Sequence, residues 1–260
     1  MRHLLTFDVA GSACGGTLDA AVGDVGILIV TGGTQTRIGS HRLFERLGAS
    51  FAAAGHPCFR FDRRGVGDSE GIDPGFRESV ADLQAAAAAF RSNAPSLQRI
   101  IGLGLCDGAT ALMLSGGAAG VDALILINPW LVEAEPDLPP APAIRRRYGE
   151  RLTSRDGWKR LLTGRVSFRK AASGLRRAMT PMQSQLGEQA LAAMGSSRLG
   201  TRLILARGDA TAIAAEQVWR SAGGLAPVYI ETDSHTFARP GNDEALRAAL
   251  LQAIEDLSRE

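Results

Sequence analysis

One cysteine, one aspartate and one histidine, far apart in the chain, are the residue types that could together break and remake an acyl bond. The cysteine is Cys106, in the run Gly104, Leu105, Cys106, Asp107, Gly108. An apolar run, residues 99–105, leads into it and a helical pattern over 108–115 follows. This G-x-C-x-G run is the thiol version of the nucleophile elbow, a strained strand-to-helix turn. Flanking glycines let neighbouring backbone pass close by, so the turn can present the sulfur to a substrate. It also sets the N–H of Asp107 at the start of a helix, where it can meet a developing oxyanion. The alternative for any free cysteine is a small buried apolar side chain. That alternative fits Cys58, which opens an apolar run, and Cys14, in a Gly-rich early stretch.

A thiol nucleophile needs a base. His235 stands in TDSHTF, residues 232–237, just after the last strand pattern. A histidine beside a thiol can hold a thiolate–imidazolium pair. Asp107, next to the sulfur, would oppose that pair if its carboxylate pointed inward, and is expected to point away. His3, His41 and His56 read as surface or structural residues, with His41 the least settled because it follows a Gly-rich loop. An orienting carboxylate is expected from Asp209, in GDATA, residues 208–212. Its alternative role is an Asx turn capping the next helix. Asp233 and Glu133 are rivals: the first is close to His235 in sequence, the second could act from the preceding strand. The chain order is then nucleophile, acid, histidine. A second oxyanion donor is expected after residues 25–30, from the N–H of Gly33 or Thr34 in the run 31–34. A plain glycine turn is the other reading of that run. Asp62 and Asp68, in FDRRGVGDSEG at 61–71, read as braces through buried hydrogen bonds.

These residues need a frame. The chain has 260 residues, enough for one large domain or two small ones, and no long polar linker divides it. Short apolar runs at 4–9, 17–22, 25–30, 58–62, 99–105, 123–128, 202–206 and 228–232 read as eight strands. Several are apolar almost throughout, as strands buried on both faces are. The first two alternate more and suggest an antiparallel edge hairpin. Helical patterns fall at 41–54, 79–91, 108–115, 214–222 and 244–257. Strand and helix in alternation imply an α/β fold with a mostly parallel sheet covered on both faces. Ligand sites in such sheets lie at the carboxyl ends of the strands, where Cys106, Asp209 and His235 fall.

Residues 130–199 break the rhythm. A Pro-rich stretch leads into a basic one that includes Arg145, Arg147, Arg151, Lys159, Arg169 and Arg177. This reads as a helical cap inserted between two core strands. Its basic face could attract an anionic substrate, rest on anionic lipid or a partner protein, or simply be solvated.

Composition narrows the classes further. The formal net charge of +2 argues against a general nucleic-acid binder. Three cysteines fit a reducing compartment, and their spacing among four histidines shows no metal-site pattern, so neither metal nor cofactor is expected. The first residues lack a signal-like apolar run, Asp8 interrupting it, and no segment is apolar enough to span a bilayer. A cytoplasmic enzyme with a small-molecule acyl substrate is the expectation, its oligomeric state left open.

The landmarks at 31–33, 61–71, 104–108, 208–212 and 234–237 together resemble the alpha/beta-hydrolase superfamily over nearly the whole chain. Three segments, GGTQTRIGSHR at 32–42, GLCDGA at 104–109 and RLTSRDGWKRLLTGRV at 151–166, look more specifically like the exosortase A system-associated hydrolases of type one. That resemblance implies an alpha/beta-hydrolase fold and a Cys106–Asp209–His235 triad in a hydrolase linked to exopolysaccharide and exosortase systems. It implies no substrate. An esterase or thioesterase working through a thioester acyl-enzyme is the leading expectation. Alternatives are an acyltransferase or a lactone hydrolase like the dienelactone hydrolases, which share G-x-C-x-G but usually lack a large cap. A third is a binding module on a hydrolase scaffold, in which Cys106 would be unreactive.

Overall fold

A computed structural model describes residues 1–133, 184–223 and 226–260. The strands are β1 (Arg2–Val9), β2 (Ser12–Asp19), β3 (Val25–Val30), β4 (Cys58–Phe61), β5 (Arg99–Leu105), β6 (Ala123–Ile127), β7 (Gly200–Ala206) and β8 (Val228–Ile230). The helices among the described residues are α1 (Leu43–Ala53), α2 (Val80–Asn93), α3 (Asp107–Ser115), α4 (Gln185–Ser197), α5 (Ala210–Ser221) and α6 (Asn242–Ser258). The strands form one eight-stranded sheet in the order β1-β2-β4-β3-β5-β6-β7-β8. The β1–β2 and β2–β4 pairs are antiparallel and the rest parallel.

Side chains alternate across the sheet, and each parallel strand feeds two cores. Leu28 and Val30, Leu124 and Leu126, Leu203 and Leu205 face α2, α3, α4 and α5. Ile27 and Ile29, Ile101, Leu103 and Leu105, Ile125 and Ile127 face α1 and α6. Burial on both faces is why these strands read as unbroken apolar runs. Each fully buried Leu, Ile or Phe contributes about 1.5–3 kcal/mol.

β5 has the bounds its sequence predicts. β2 does not: it lies at Ser12–Asp19 rather than 17–22, because a two-residue turn at Ala10 and Gly11, both at positive φ, pairs Val9 with Ser12. Cys14 is therefore a buried strand residue, not a loop residue. Gly16 hides the strand pattern, yet a Cβ there would lie 2.5 Å from the Phe59 ring. α5 starts four residues earlier than its periodicity suggests, because the Asp209 carboxylate caps it, accepting from Ala212 N–H at 3.0 Å.

Most of the expected insertion, with its Pro-rich and basic stretches and the segment 151–166, lies outside the described residues. Its last part is α4, which packs on the sheet core: Leu186 and Ala190 are buried, Ala190 beside the α3 and α5 side chains.

Candidate active site

Cys106 sits between β5 and α3 with φ 59 and ψ −126, a conformation that strains any residue with a side chain. Such strain costs on the order of 1–3 kcal/mol. The fully buried Leu103, Leu105, Ala109 and Leu112 on either side outweigh it. The two glycines of the motif are required by contact: a Cβ at Gly104 would lie 2.6 Å from Ala109 N, and one at Gly108 only 2.4 Å from the Val30 carbonyl oxygen. The turn is pinned on both sides. Cys106 N–H donates to the Ile127 carbonyl at 3.0 Å, and Trp130 N–H donates to the Cys106 carbonyl at 3.2 Å. The thiol is half-buried.

His235 and Asp209 meet at the same edge. The ring Nδ1 donates to Asp209 Oδ2 at 2.9 Å. That oxygen also caps α5, so Asp209 both holds the His235 ring and closes the helix start. With Nδ1 engaged, the far side of the ring is left free, and Cys106 is near enough to favour the protonated imidazole. Burial works against the imidazolium, but the hydrogen bonds to Asp209 and Cys106 and their charges outweigh it, raising the His235 pKa to about 10. Asp233 instead pairs with Arg239, at 2.5 and 2.8 Å, and Glu133 with Arg77, both away from the ring.

The oxyanion side differs from expectation in one respect. The Asp107 carboxylate turns across to the facing loop and accepts the Gly33 N–H at 2.6 Å. That commits the Gly33 N–H to a carboxylate. The Asp107 N–H opens α3 and so lacks an intrahelical acceptor. Among the described residues, Thr34 N–H also has no acceptor. The Gly33 carbonyl accepts from Arg63 Nη2 at 2.6 Å.

The remaining candidates fall outside the reacting centre. His56 Nδ1 donates to the Val25 carbonyl at 3.0 Å, and His3 is exposed on β1. His41 bridges loops, its Nε2 donating to the Thr236 carbonyl at 2.9 Å. Cys58 is fully buried, which pushes its thiol pKa up, as burial does more mildly at Cys14. Asp62 is buried against Arg37, and Asp68 accepts from the same guanidinium at 2.9 Å, so both brace the loop. Among the described residues no three His, Cys, Asp or Glu side chains are grouped to hold a metal, and no helix is long and apolar enough to cross a membrane.

Two residues escaped the sequence reading. Asn128, fully buried at φ 42, donates from Nδ2 to the His235 carbonyl at 3.0 Å and accepts Ala206 N–H on Oδ1 at 2.8 Å. A polar residue closing an all-apolar strand, at the same sheet edge as Cys106, was its signal. Arg63, 3% exposed, was hidden among the arginines of the bracing loop.

Residues 27–249 match the model of the Alpha/beta hydrolase family. The chain belongs to that family. No curated protein matches the sequence. Among solved structures, the chain is similar to the esterase Pf2001 of Pyrococcus furiosus, with 13% identity, a TM-score of 0.65, and 98% of this chain and 92% of that one covered. It is also similar to DcsB in complex with a substrate analogue, at 16% identity and TM-score 0.66 over 98% and 99% of the two chains. A thioesterase domain of the curacin biosynthetic pathway aligns at 14% identity and TM-score 0.59 over 96% and 99%. At these identities the likeness is one of fold.

Proposed function

We propose that the protein is a cysteine-dependent acyl hydrolase, an esterase or thioesterase, in which Cys106 is the nucleophile, His235 the acid and base, and Asp209 the orienting carboxylate. The observation that carries this reading is the His235 ring: it is bonded through Nδ1 to Asp209, and it lies near enough to the thiol on the strained elbow for Cys106 to favour its protonated form. The esterase and thioesterase among the structural neighbours agree with it, and the substrate-analogue complex of DcsB agrees with a small-molecule substrate.

The Cys106 thiolate attacks the acyl carbonyl, and the carbonyl electrons move onto oxygen. The Asp107 N–H, at the positive end of α3, faces that charge. The His235 imidazolium gives its proton to the departing oxygen or sulfur as the tetrahedral intermediate collapses, leaving a thioester on Cys106 and a neutral imidazole. The imidazole then takes a proton from water, and the resulting hydroxide attacks the thioester. Collapse releases the acid and restores the thiolate–imidazolium pair. Asp209 keeps the ring turned through both steps and stabilises its charge.

Three finer parts belong to the reading. A place in exopolysaccharide and exosortase systems rests on the sequence resemblance; a cytoplasmic location and an inserted cap at about 130–199 rest on the sequence pattern.

Alkylation with iodoacetamide tests the centre. Cys14 and Cys58 are buried, so one carbamidomethyl group on Cys106 is expected at pH 6–7. His235→Ala should slow it by at least tenfold, because the imidazolium partner is lost. Equal rates in the two proteins would remove the triad from the account.

A further inference from the structure

Arg63 is a buried cation with too few partners. Its Nη2 donates to the Gly33 carbonyl at 2.6 Å and lies 3.4 Å from Asp73 Oδ2. Its Nε and Nη1 are buried with no hydrogen-bond partner among the described residues. Arg64, next in sequence, differs: it makes a complete pair with the Asp82 carboxylate through Nε and Nη2. Leaving buried charged donors unmatched costs stability, so stability alone does not account for Arg63.

The Gly33 carbonyl belongs to the same peptide unit as the Thr34 N–H. A cation held on the oxygen end polarises the N–H end and fixes the plane of the unit. The preceding unit is fixed from the other side, where Asp107 accepts the Gly33 N–H. Gly32, between the nucleophile and this loop, leaves no room for movement: a Cβ there would lie 2.4 Å from Asp107 Oδ1 and 2.6 Å from the Leu105 carbonyl. The turn is closed by Gln35 N–H on the Gly32 carbonyl at 3.2 Å. Two charged side chains thus grip successive peptides of one exposed turn, and the N–H they leave without an acceptor is that of Thr34.

We propose that Arg63 is a positioning residue for catalysis: together with Asp107 it locks the Gly32–Gln35 turn so that Thr34 N–H, not Gly33 N–H, is the second oxyanion donor. The inference rests on the acyl-hydrolase reading. Arg63 touches no reacting atom. It acts through one peptide unit, lending positive charge to the donor when the carbonyl oxygen becomes an anion.

The test uses the full chain with a nitrophenyl ester, with kcat, KM, melting temperature and the iodoacetamide rate of Cys106 measured for each protein. Thr34→Pro removes the N–H itself on an exposed turn, and should lower kcat by roughly 10²-fold, the usual loss for one oxyanion donor. Arg63→Met, which fills similar volume without charge, should lower kcat by about tenfold or more with KM within about twofold. Its melting temperature should be unchanged or higher, because unmatched buried donors are removed. Arg63→Lys should recover part of the lost kcat. Alkylation, which forms no oxyanion, should stay at the wild-type rate in all three. Retention of kcat in Thr34→Pro would overturn the proposal, as would an Arg63→Met loss matched by falling melting temperature and alkylation. If Arg63→Met does not fold, Thr34→Pro and Arg63→Lys decide alone. A wild type that hydrolyses no ester or thioester would instead remove the acyl-hydrolase reading on which the inference stands.

Discussion

The two sides of Cys106 are built on opposite plans. On the histidine side the groups are matched: His235 Nδ1 meets Asp209, Asp209 also caps α5, and Asn128 ties the His235 backbone to the end of β7. On the oxyanion side a buried guanidinium keeps donors without acceptors, and a carboxylate occupies one of the expected amide donors. The difference follows the timing of charge. In the proposed reaction the histidine side would hold its ion pair before any substrate arrives, and its partners are in place. In the proposed reaction the oxyanion side would receive a charge only in the transition state, and there the Thr34 N–H stands without an acceptor among the described residues.

Removing the matched side should cost most. His235→Ala should lower kcat for ester hydrolysis by at least about 10³-fold, since both proton transfers lose their carrier; steady-state kinetics with a chromogenic ester measures it. Asn128→Ala comes next. It leaves the Ala206 N–H and the His235 carbonyl without their partner, at about 1–3 kcal/mol of stability by denaturant titration. It should also lower kcat by more than it changes KM, because the ring loses its anchor. Asp107→Ala sharpens the contrast. It frees Gly33 N–H and loosens the turn, and kcat should fall by less than about tenfold. A fall as large as that of His235→Ala would mean that the two sides are not built on different plans.

The smallest effect is on stability against pH. The folded-state pKa of His235, about 10, lies above its ordinary value of 6.5. The stability it contributes is therefore complete below about pH 6.5 and is lost as pH rises through about 10. The melting temperature of the wild type relative to His235→Gln should fall between pH 7 and 10.5. A constant difference would mean that the ring is not held as an imidazolium.

The contrast also explains what could be read in the sequence. β5 and the elbow were legible because their signals are local: a strand buried on both faces, then two glycines at fixed offsets. His235 and Asp209 were legible as residues just past strands, though the sequence left Asp233 and Glu133 as rivals until their arginine partners were seen. The Asp107–Gly33 bond was not legible, because its residues are 74 positions apart and nothing local announces the contact. Asn128 acts on a carbonyl 107 positions away, and Arg63 sits in a run of five charged residues, beside a second arginine. The pattern of β2 was masked by Gly15 and Gly16, of which Gly16 leaves room for the Phe59 ring.

The central claim is that the acyl group rests on the Cys106 sulfur, and trapping it is the most direct test. The protein would be mixed with nitrophenyl acetate, quenched in acid within the first turnover, digested and examined by mass spectrometry. The account predicts one acetyl group, on the peptide that carries Cys106, lost on longer incubation and absent from Cys106→Ala. An acetyl group elsewhere, or ester hydrolysis that continues at the wild-type rate in Cys106→Ala, would contradict it.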